Sequence, residues 1–210
     1  NVQKDYLKYA TRMTTKKQLN PGDIVFKKDI LFRRTNESDA LYSNELTDNI
    51  PAVIKRKIEI NSGITKNDIK KVRIGIIVVC RLTSTRLKNK ALLELNGLSA
   101  IERCLLNALQ AQIPSHVVLA TSTTKEDSIL KNYTLKEKVK FFQGSGDDPA
   151  LRMLDAAKEF GFDIIVRVTG DSPLISYELI DYLIESHINK GSDFSYYEDA
   201  PLGARPEVMN

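Results

Sequence analysis

The run Ile74-Gly-Ile-Ile-Val-Val79 constrains this chain more than any other feature. It is β-branched apart from one Gly and carries no polar residue, so it reads as a strand buried on both faces, as in a parallel sheet covered by helices. Extended to Cys80, it is still far too short to cross a bilayer. Residues 81–190 keep the alternation such a sheet needs. Ser99 and Glu102 form a capping box for a helix over 99–112, with Ile101, Cys104, Leu105, Ala108 and Leu109 as its apolar stripe. Residues 116–120 read as a strand, Thr124 with Asp127 as the start of a short helix, and 139–142 as a strand. Asp148-Pro149 supplies an N-cap and N1 for a helix that Gly161 ends, residues 163–168 form a strand, and 176–190 a helix. The expectation is an open, Rossmann-like α/β sheet whose ligands sit at the C-terminal ends of its strands.

Residues 1–72 read differently, and the chain is expected to divide near residue 72. Residues 11–69 show no long helical period. They carry a weak internal repeat, in which Leu19-Asn-Pro-Gly-Asp-Ile-Val-Phe-Lys-Lys-Asp-Ile30 is echoed by Ile60-Asn-Ser-Gly-Ile-Thr-Lys-Asn-Asp-Ile69. Each copy offers a turn dipeptide (Pro21-Gly22, Ser62-Gly63) before a short β-prone run, and Pro-Gly suits a type II turn. The pattern implies a small β-rich module. Its 15 Lys and Arg against 9 Asp and Glu make it basic, whereas 73–210 holds 16 against 18. The basic residues alternate with acids and lack the interleaved aromatics of a stacking platform, so nucleic acid is not expected as a partner. Residues 1–20 are polar and rich in Lys and Arg, unlike a secretory signal. Cys80 and Cys104 sit in apolar surroundings with no C-x-x-C, which argues against a disulfide framework or zinc site and for a reducing cytoplasm. His116 and His187 have no ligand spacing and are assigned to packing or surface. A start at Asn1 and an end at Asn210 suggest a piece of a longer protein.

Chemistry is expected at three strand-to-loop junctions. Directly after the first strand, Arg81-Leu-Thr-Ser-Thr-Arg-Leu-Lys-Asn-Lys90 places Arg81, Arg86 and Lys90 on one loop with the hydroxyls of Thr83, Ser84 and Thr85. Arg forks onto phosphate oxygens and Lys adds a point charge, so the loop suits a triphosphate without Gly-based cradling. Second, Asp171 in Thr169-Gly-Asp-Ser-Pro-Leu-Ile175 stands at a strand terminus, where a carboxylate can hold Mg²⁺ on nucleotide phosphates. Third comes Gln143-Gly-Ser-Gly-Asp-Asp-Pro149, where Asp148 is either a nucleotide contact or a plain N-cap.

Arg81-x-x-Ser84-Thr85-Arg86-Leu87-x-x-Lys90 resembles the R-x-x-S-T-R-L-x-x-K signature of CMP-sugar synthetases and SpsF-type cytidylyltransferases. Ala120-Thr-Ser122, Gly144-Ser145, Asp148 with Arg152, and 169–175 occur in that family's order. Lys88-Asn89 replaces the usual Pro-Gly, and Cys80 the usual Ala. The resemblance implies a GT-A type nucleotidyltransferase sheet over 73–210, incomplete at its C-terminal side. It implies nucleotide binding by Arg81, Ser84, Arg86, Lys90, Ser122, Asp148 and Arg152, catalysis by Arg86, Lys90 and Asp171, and Mg²⁺ held by Asp171. Gly203-Ala-Arg-Pro-Glu-Val208 is similar to the family's G-x-D-V-E-V, which makes Glu207 a second metal ligand and leaves Arg205 where Asp is common. Residues 11–34 and 55–69 resemble a SAF (antifreeze-like, β-clip) domain, found at the C-terminus of sialic-acid (nonulosonate) synthases, where it helps cover a neighbouring subunit's active site. Thr35-Asn-Glu-Ser-Asp39 replaces that family's Gly-rich loop. Together the two likenesses imply a homo-oligomeric, cytoplasmic enzyme with no membrane partner. It would transfer CMP from CTP to a sialic-acid-like sugar acid for surface polysaccharide, as part of a bifunctional synthase and CMP-sugar synthetase. A non-catalytic assembly module and a transferase using another NTP are the alternatives.

Overall fold

The computed structural model describes residues 11–35, 37–46, 51–83, 87, 89–201 and 203–210. It separates into two compact units, Asn1–Val72 and Arg73–Asn210.

In the first unit, β1 (Arg12–Thr15), β2 (Ile24–Val25), β3 (Ile30–Arg33), β4 (Ala52–Ile54) and β5 (Ile69–Lys71) are short. β1 pairs antiparallel with β3, and β2-β4-β5 form a second antiparallel sheet. Ten buried residues, among them Met13, Leu46, Ile54 and Ile64, close one core. The internal repeat is structural. Asp29 accepts the Phe26 N–H at 3.0 Å and Asp68 the Thr65 N–H at 2.8 Å, each closing a 3₁₀ turn that launches a strand at the next Ile. Gly22 has φ 93°, as the Pro21-Gly22 turn requires, and Asp23 N–H donates to Asn20 O at 3.1 Å. The second turn does not fall on Ser62-Gly63. Ser62 N–H donates to Glu59 O at 3.1 Å and the positive φ is on Asn61 (64°). Gly63 answers a different need, because a side chain there would collide with Glu37, whose carboxylate accepts the Gly63 N–H at 3.0 Å. Asp68 is fully buried. Burial opposes its ionisation, yet the Thr65 N–H and Arg56 outweigh it and hold the carboxyl below its usual range.

The second unit adds β6 (Ile74–Val79), β7 (Glu94–Leu95), β8 (Leu98–Ser99), α1 (Ala100–Ala108), β9 (His116–Ser122), β10 (Lys140–Gly144), α2 (Pro149–Phe160), β11 (Ile164–Thr169), α3 (Tyr177–Lys190), β12 (Phe194–Tyr196) and β13 (Glu207–Met209). Six of these strands form one sheet in the order β10-β9-β6-β11-β13-β12. The first four run parallel, and β13 pairs antiparallel with β11 and β12. The sheet is therefore mixed, where the alternation of elements alone suggested a parallel one. The caps form as expected: Ser99 with Glu102, Asp148 before Pro149 with Gly161 at φ 67°, and Ser176, whose helix Gly191 ends at φ 60°. The first helix stops at Ala108, short of the expected 112, and the segment from Asp127 to Tyr133 is 3₁₀. Asn96-Gly97, both at positive φ, turns the β7–β8 hairpin, a tight-turn signal that the sequence carries and that no expectation above used.

Strand β6 is central, and its alternate residues serve opposite faces. Ile77 and Val79 pack with Met153, Ala156 and Ala157 of α2. Gly75 lies on that face too, and a Cβ there would collide with the Phe162 ring. Gly75→Ala should therefore destabilise the second unit by about 1–3 kcal/mol, the usual penalty for overpacking. A urea or thermal melt with an unchanged midpoint would show that Phe162 moves aside freely.

Candidate functional site

A cleft of about 290 Å³ opens at the C-terminal ends of β6 and β11, where Cys80-Arg81 and Thr169-Gly-Asp171 leave the sheet. The first turn of α2, with Pro149 and Arg152, forms another part of its wall, and Lys90, Ala91 and Arg167 complete it. Its charged lining among the described residues is four cations, Arg81, Lys90, Arg152 and Arg167, against one acid, Asp171. Such a lining suits a polyanion. It sits where the loops after the two parallel strands leave the sheet, at the carboxyl end of an α/β sheet.

Lys90 Nζ lies 2.9 Å from Asp171 Oδ2, and both side chains are half-exposed. Burial opposes ionisation of Asp171, but hydrogen bonds from Lys90 and Thr169 and the Lys90 charge prevail and set its carboxyl below the usual value. An ion pair this exposed contributes at most about 1 kcal/mol. A phosphate oxygen can therefore take Lys90 from it at little cost, leaving Asp171 available to a cation. Gly170 N–H donates to Val79 O at 2.9 Å, and a side chain at Gly170 would strike Cys80 and Ile101. Only Gly fits the floor. Burial, with the nearby Asp127 and Asp171 charges, pushes the Cys80 thiol up to about 12, so it is neutral and inert at physiological pH. Cys104, buried behind it, is raised as well by burial.

Arg152 is almost fully buried although it lines the cleft. Its Nε donates to Ser145 O at 2.7 Å and its Nη2 to Gly146 O at 3.3 Å, so it braces the 143–148 loop from below. Burial lowers its pKa, the Asp127 charge offsets part of that, and Arg81 adds repulsion. Arg167, which sequence reasoning missed, is half-buried on β11. Its Nη1 donates to Glu207 Oε2 at 2.5 Å across the β11–β13 register.

Of the expected nucleotide and metal residues, the cleft brings together Arg81, Lys90, Arg152 and Asp171. Ser84 and Arg86 lie outside the described residues. Ser122 is buried at the end of β9, and its Oγ donates to Asp127 instead of opening onto the cleft. Asp148 is an N-cap whose Oδ1 accepts from Ala150 N at 2.9 Å and Leu151 N at 3.0 Å. Glu207 does not reach the cleft lining, because Arg167 holds it. Arg205 is tied by its Nε to Ala200 O within its own loop. Among the described residues no three His, Cys, Asp or Glu side chains could hold a metal ion together. Asp171 alone fits Mg²⁺, which accepts one carboxylate when substrate phosphates and water complete its octahedron. His187 is buried between Ser195 Oγ (2.9 Å) and Asn210 Oδ1 (3.0 Å), a packing role. No helix among the described residues is long and apolar enough to cross a membrane.

Sheet order, with a cleft whose described lining is cationic and holds one carboxylate at the strand ends, fits an α/β nucleotidyltransferase fold. The family model described as cytidylyltransferase matches residues 75–210, and the chain belongs to that family. It is 33% identical over 144 residues to the spore coat polysaccharide biosynthesis protein SpsF of Bacillus subtilis (strain 168), a match covering 65% of this chain and 59% of that protein. It is 36% identical over 110 residues to a 3-deoxy-manno-octulosonate cytidylyltransferase of Chlorobium chlorochromatii (strain CaD3), covering 52% of this chain and 44% of that enzyme. The chain thus spans about half the length of these relatives. A solved cytidylyltransferase from Leptospira borgpetersenii serovar Hardjo-bovis (strain JB197) superposes with a TM-score of 0.62 at 28% identity, over 66% of this chain and 60% of that one.

The Asp148 geometry makes a specific demand. Asp148→Ala should lower stability by about 1 kcal/mol, the ordinary value of a lost N-cap. It should leave nucleotide affinity within about twofold, since its oxygen is spent on the helix N–H groups. A nucleotide titration showing a large loss of affinity would give Asp148 a ligand role as well.

Proposed function

We propose that this chain transfers CMP from CTP to a sugar acid with release of pyrophosphate. The observation that carries the reading is the cleft itself, among whose described residues four cations and one carboxylate stand at the ends of β6 and β11. In it a sugar hydroxyl oxygen would attack the α-phosphorus of CTP, its proton passing to solvent, while the bond to the bridging oxygen of pyrophosphate breaks. Arg81 and Lys90 bind phosphate oxygens, and Lys90 offsets charge that builds as pyrophosphate departs. Arg86 joins them by its place in the signature. Asp171 would hold Mg²⁺, whose part is to neutralise phosphate charge and align the triphosphate. Protein groups of this kind work by position and electrostatics, with no covalent intermediate on the chain.

The acceptor is the finer part of the reading. A sugar acid is favoured because a relative is named for an eight-carbon keto sugar acid, 3-deoxy-manno-octulosonate. The SAF-like sequence of the first unit, here a small β-rich unit with a genuine internal repeat, supports a sialic-acid-like nonulosonate in particular. It also supports an assembly in which synthesis and activation of the acid are joined.

Pyrophosphate release measured with each of the four nucleoside triphosphates and a panel of eight- and nine-carbon keto sugar acids tests both levels. The expected result is turnover with CTP alone and with at least one acid. Equal rates with all four nucleotides would overturn CTP as the donor, and none with any would overturn the transfer reading. Turnover of the eight-carbon acid alone would remove the nonulosonate. Lys90→Ala should cost about 2–4 kcal/mol of transition-state stabilisation, roughly 30-fold to 10³-fold in kcat/KM, with a normal melt. Asp171→Asn should reduce turnover and raise the Mg²⁺ concentration needed for half-maximal rate, a shift absent if Asp171 does not meet the metal.

A further inference from the structure

Asp127 is the least expected side chain in the second unit. Its carboxylate is fully buried, and burying a carboxylate costs several kcal/mol unless donors surround it. The donors come from two elements. Leu82 N–H donates to Oδ1 at 2.7 Å, 45 residues away in sequence, and Ser122 Oγ donates to Oδ2. Ser122 is itself held, accepting the Thr124 N–H at 3.2 Å and lying 2.9 Å from Thr124 Oγ1. The carboxylate therefore ties the end of β9 to the first residue inside the phosphate loop.

What Leu82 does with its other end decides the matter. Its carbonyl accepts the Asn89 N–H at 3.3 Å, so the loop closes on itself between 82 and 89. Arg81 is the residue just before the closure and Lys90 the residue just after it. Both line the cleft. A single residue, pinned by Asp127 at its N–H and by Asn89 at its carbonyl, thus fixes where the loop's two described cations begin. Leu82 is itself buried, which keeps water from competing for either bond. The same carboxylate faces the buried Arg152 and offsets its charge.

We infer that Asp127 is a positioning residue of this cleft, setting Arg81 and Lys90 at the separation a polyphosphate requires through its hold on Leu82. The inference rests on the nucleotidyl-transfer reading, but it can fail by itself. Asp127 touches no substrate, and Ser122 serves the clamp.

The test uses the whole chain and two probes, inorganic pyrophosphate with Mg²⁺ for binding by calorimetry and CTP for turnover. Asp127→Ala should weaken pyrophosphate binding and raise the CTP KM by about tenfold or more, as small misplacements of binding groups do. The sugar-acid KM should stay within about twofold of wild type in the same comparison. Exchange of the Leu82 amide should accelerate by about a hundredfold as its buried bond is lost, with the β6 amides unchanged. If Asp127→Ala does not melt cooperatively, Asp127→Asn carries the test. It keeps the shape and one acceptor but loses the charge and cannot accept two donors without turning Ser122. A folded Asp127→Asn with wild-type pyrophosphate affinity and CTP KM overturns the inference. Wild-type chain that binds pyrophosphate but never turns over CTP sinks the transfer reading, and the clamp then stands or falls on the pyrophosphate affinities.

Discussion

The second unit depends on one strand being apolar on both faces. β6 sits between β9 and β11, pairs in parallel with each, and is buried along nearly its whole length. Parallel pairing aligns the strand exits, so the loops after β6 and β11 emerge at the same edge. That is why residues as distant as Lys90 and Asp171 meet. Gly75 and Gly170 show how tightly the arrangement is drawn. At one a side chain would meet the Phe162 ring, at the other Cys80 and Ile101. Dense packing beneath a polar edge gives the rigid floor on which loop cations hold their places.

The cleft is polar at its mouth and charged even in its base. Arg152 keeps its guanidinium below the surface by donating to two loop carbonyls, a neutral solvation that leaves its charge uncancelled at contact range. Asp127 offsets that charge from behind without forming an ion pair among the described contacts. A direct buried pair would have neutralised the site. The arrangement keeps positive potential available to a ligand while the protein tolerates it. Arg167 is handled the other way, by direct contact with Glu207 on the adjacent strand.

Local signals in the sequence translated well, because a cap or a strand is set within a few residues. Ser99 with Glu102, Asp148-Pro149 with Gly161, and Ser176 each begin or end a helix as their chemistry requires, and 74–79 is a strand. What escaped reading was made by pairing at long range. β12 and β13 are three residues each and owe their existence to the edge of β11, so no period within them announces a strand. The same cause hid Arg167 with Glu207 and the Leu82–Asp127 bond, each between segments 40 or more residues apart. Asp127 was legible as the start of a helical turn, and nothing in its neighbours said that it would be buried. The Ser62-Gly63 dipeptide misled for a different reason: Asn61 takes positive φ readily, so the turn lies two residues earlier and Gly63 became a place for Glu37.

The uneven charge of the cleft has an energetic consequence. Arg81 and Arg152 repel, and the only acid in the described lining is already engaged by Lys90. Like charges held together without a counter-ion destabilise the folded chain, while an anion bound across them removes that repulsion and adds its own contacts. Ligand bound only to the folded state stabilises it by RT ln(1 + [L]/Kd), about 2.7 kcal/mol at a hundredfold excess over Kd. On the nucleotidyl-transfer reading, a bound polyphosphate would be the anion that relieves the repulsion between Arg81 and Arg152. A buried carboxylate at Asp127 suits that arrangement. It holds the cationic loop through the Leu82 N–H and forms no ion pair with a cleft cation among the described contacts.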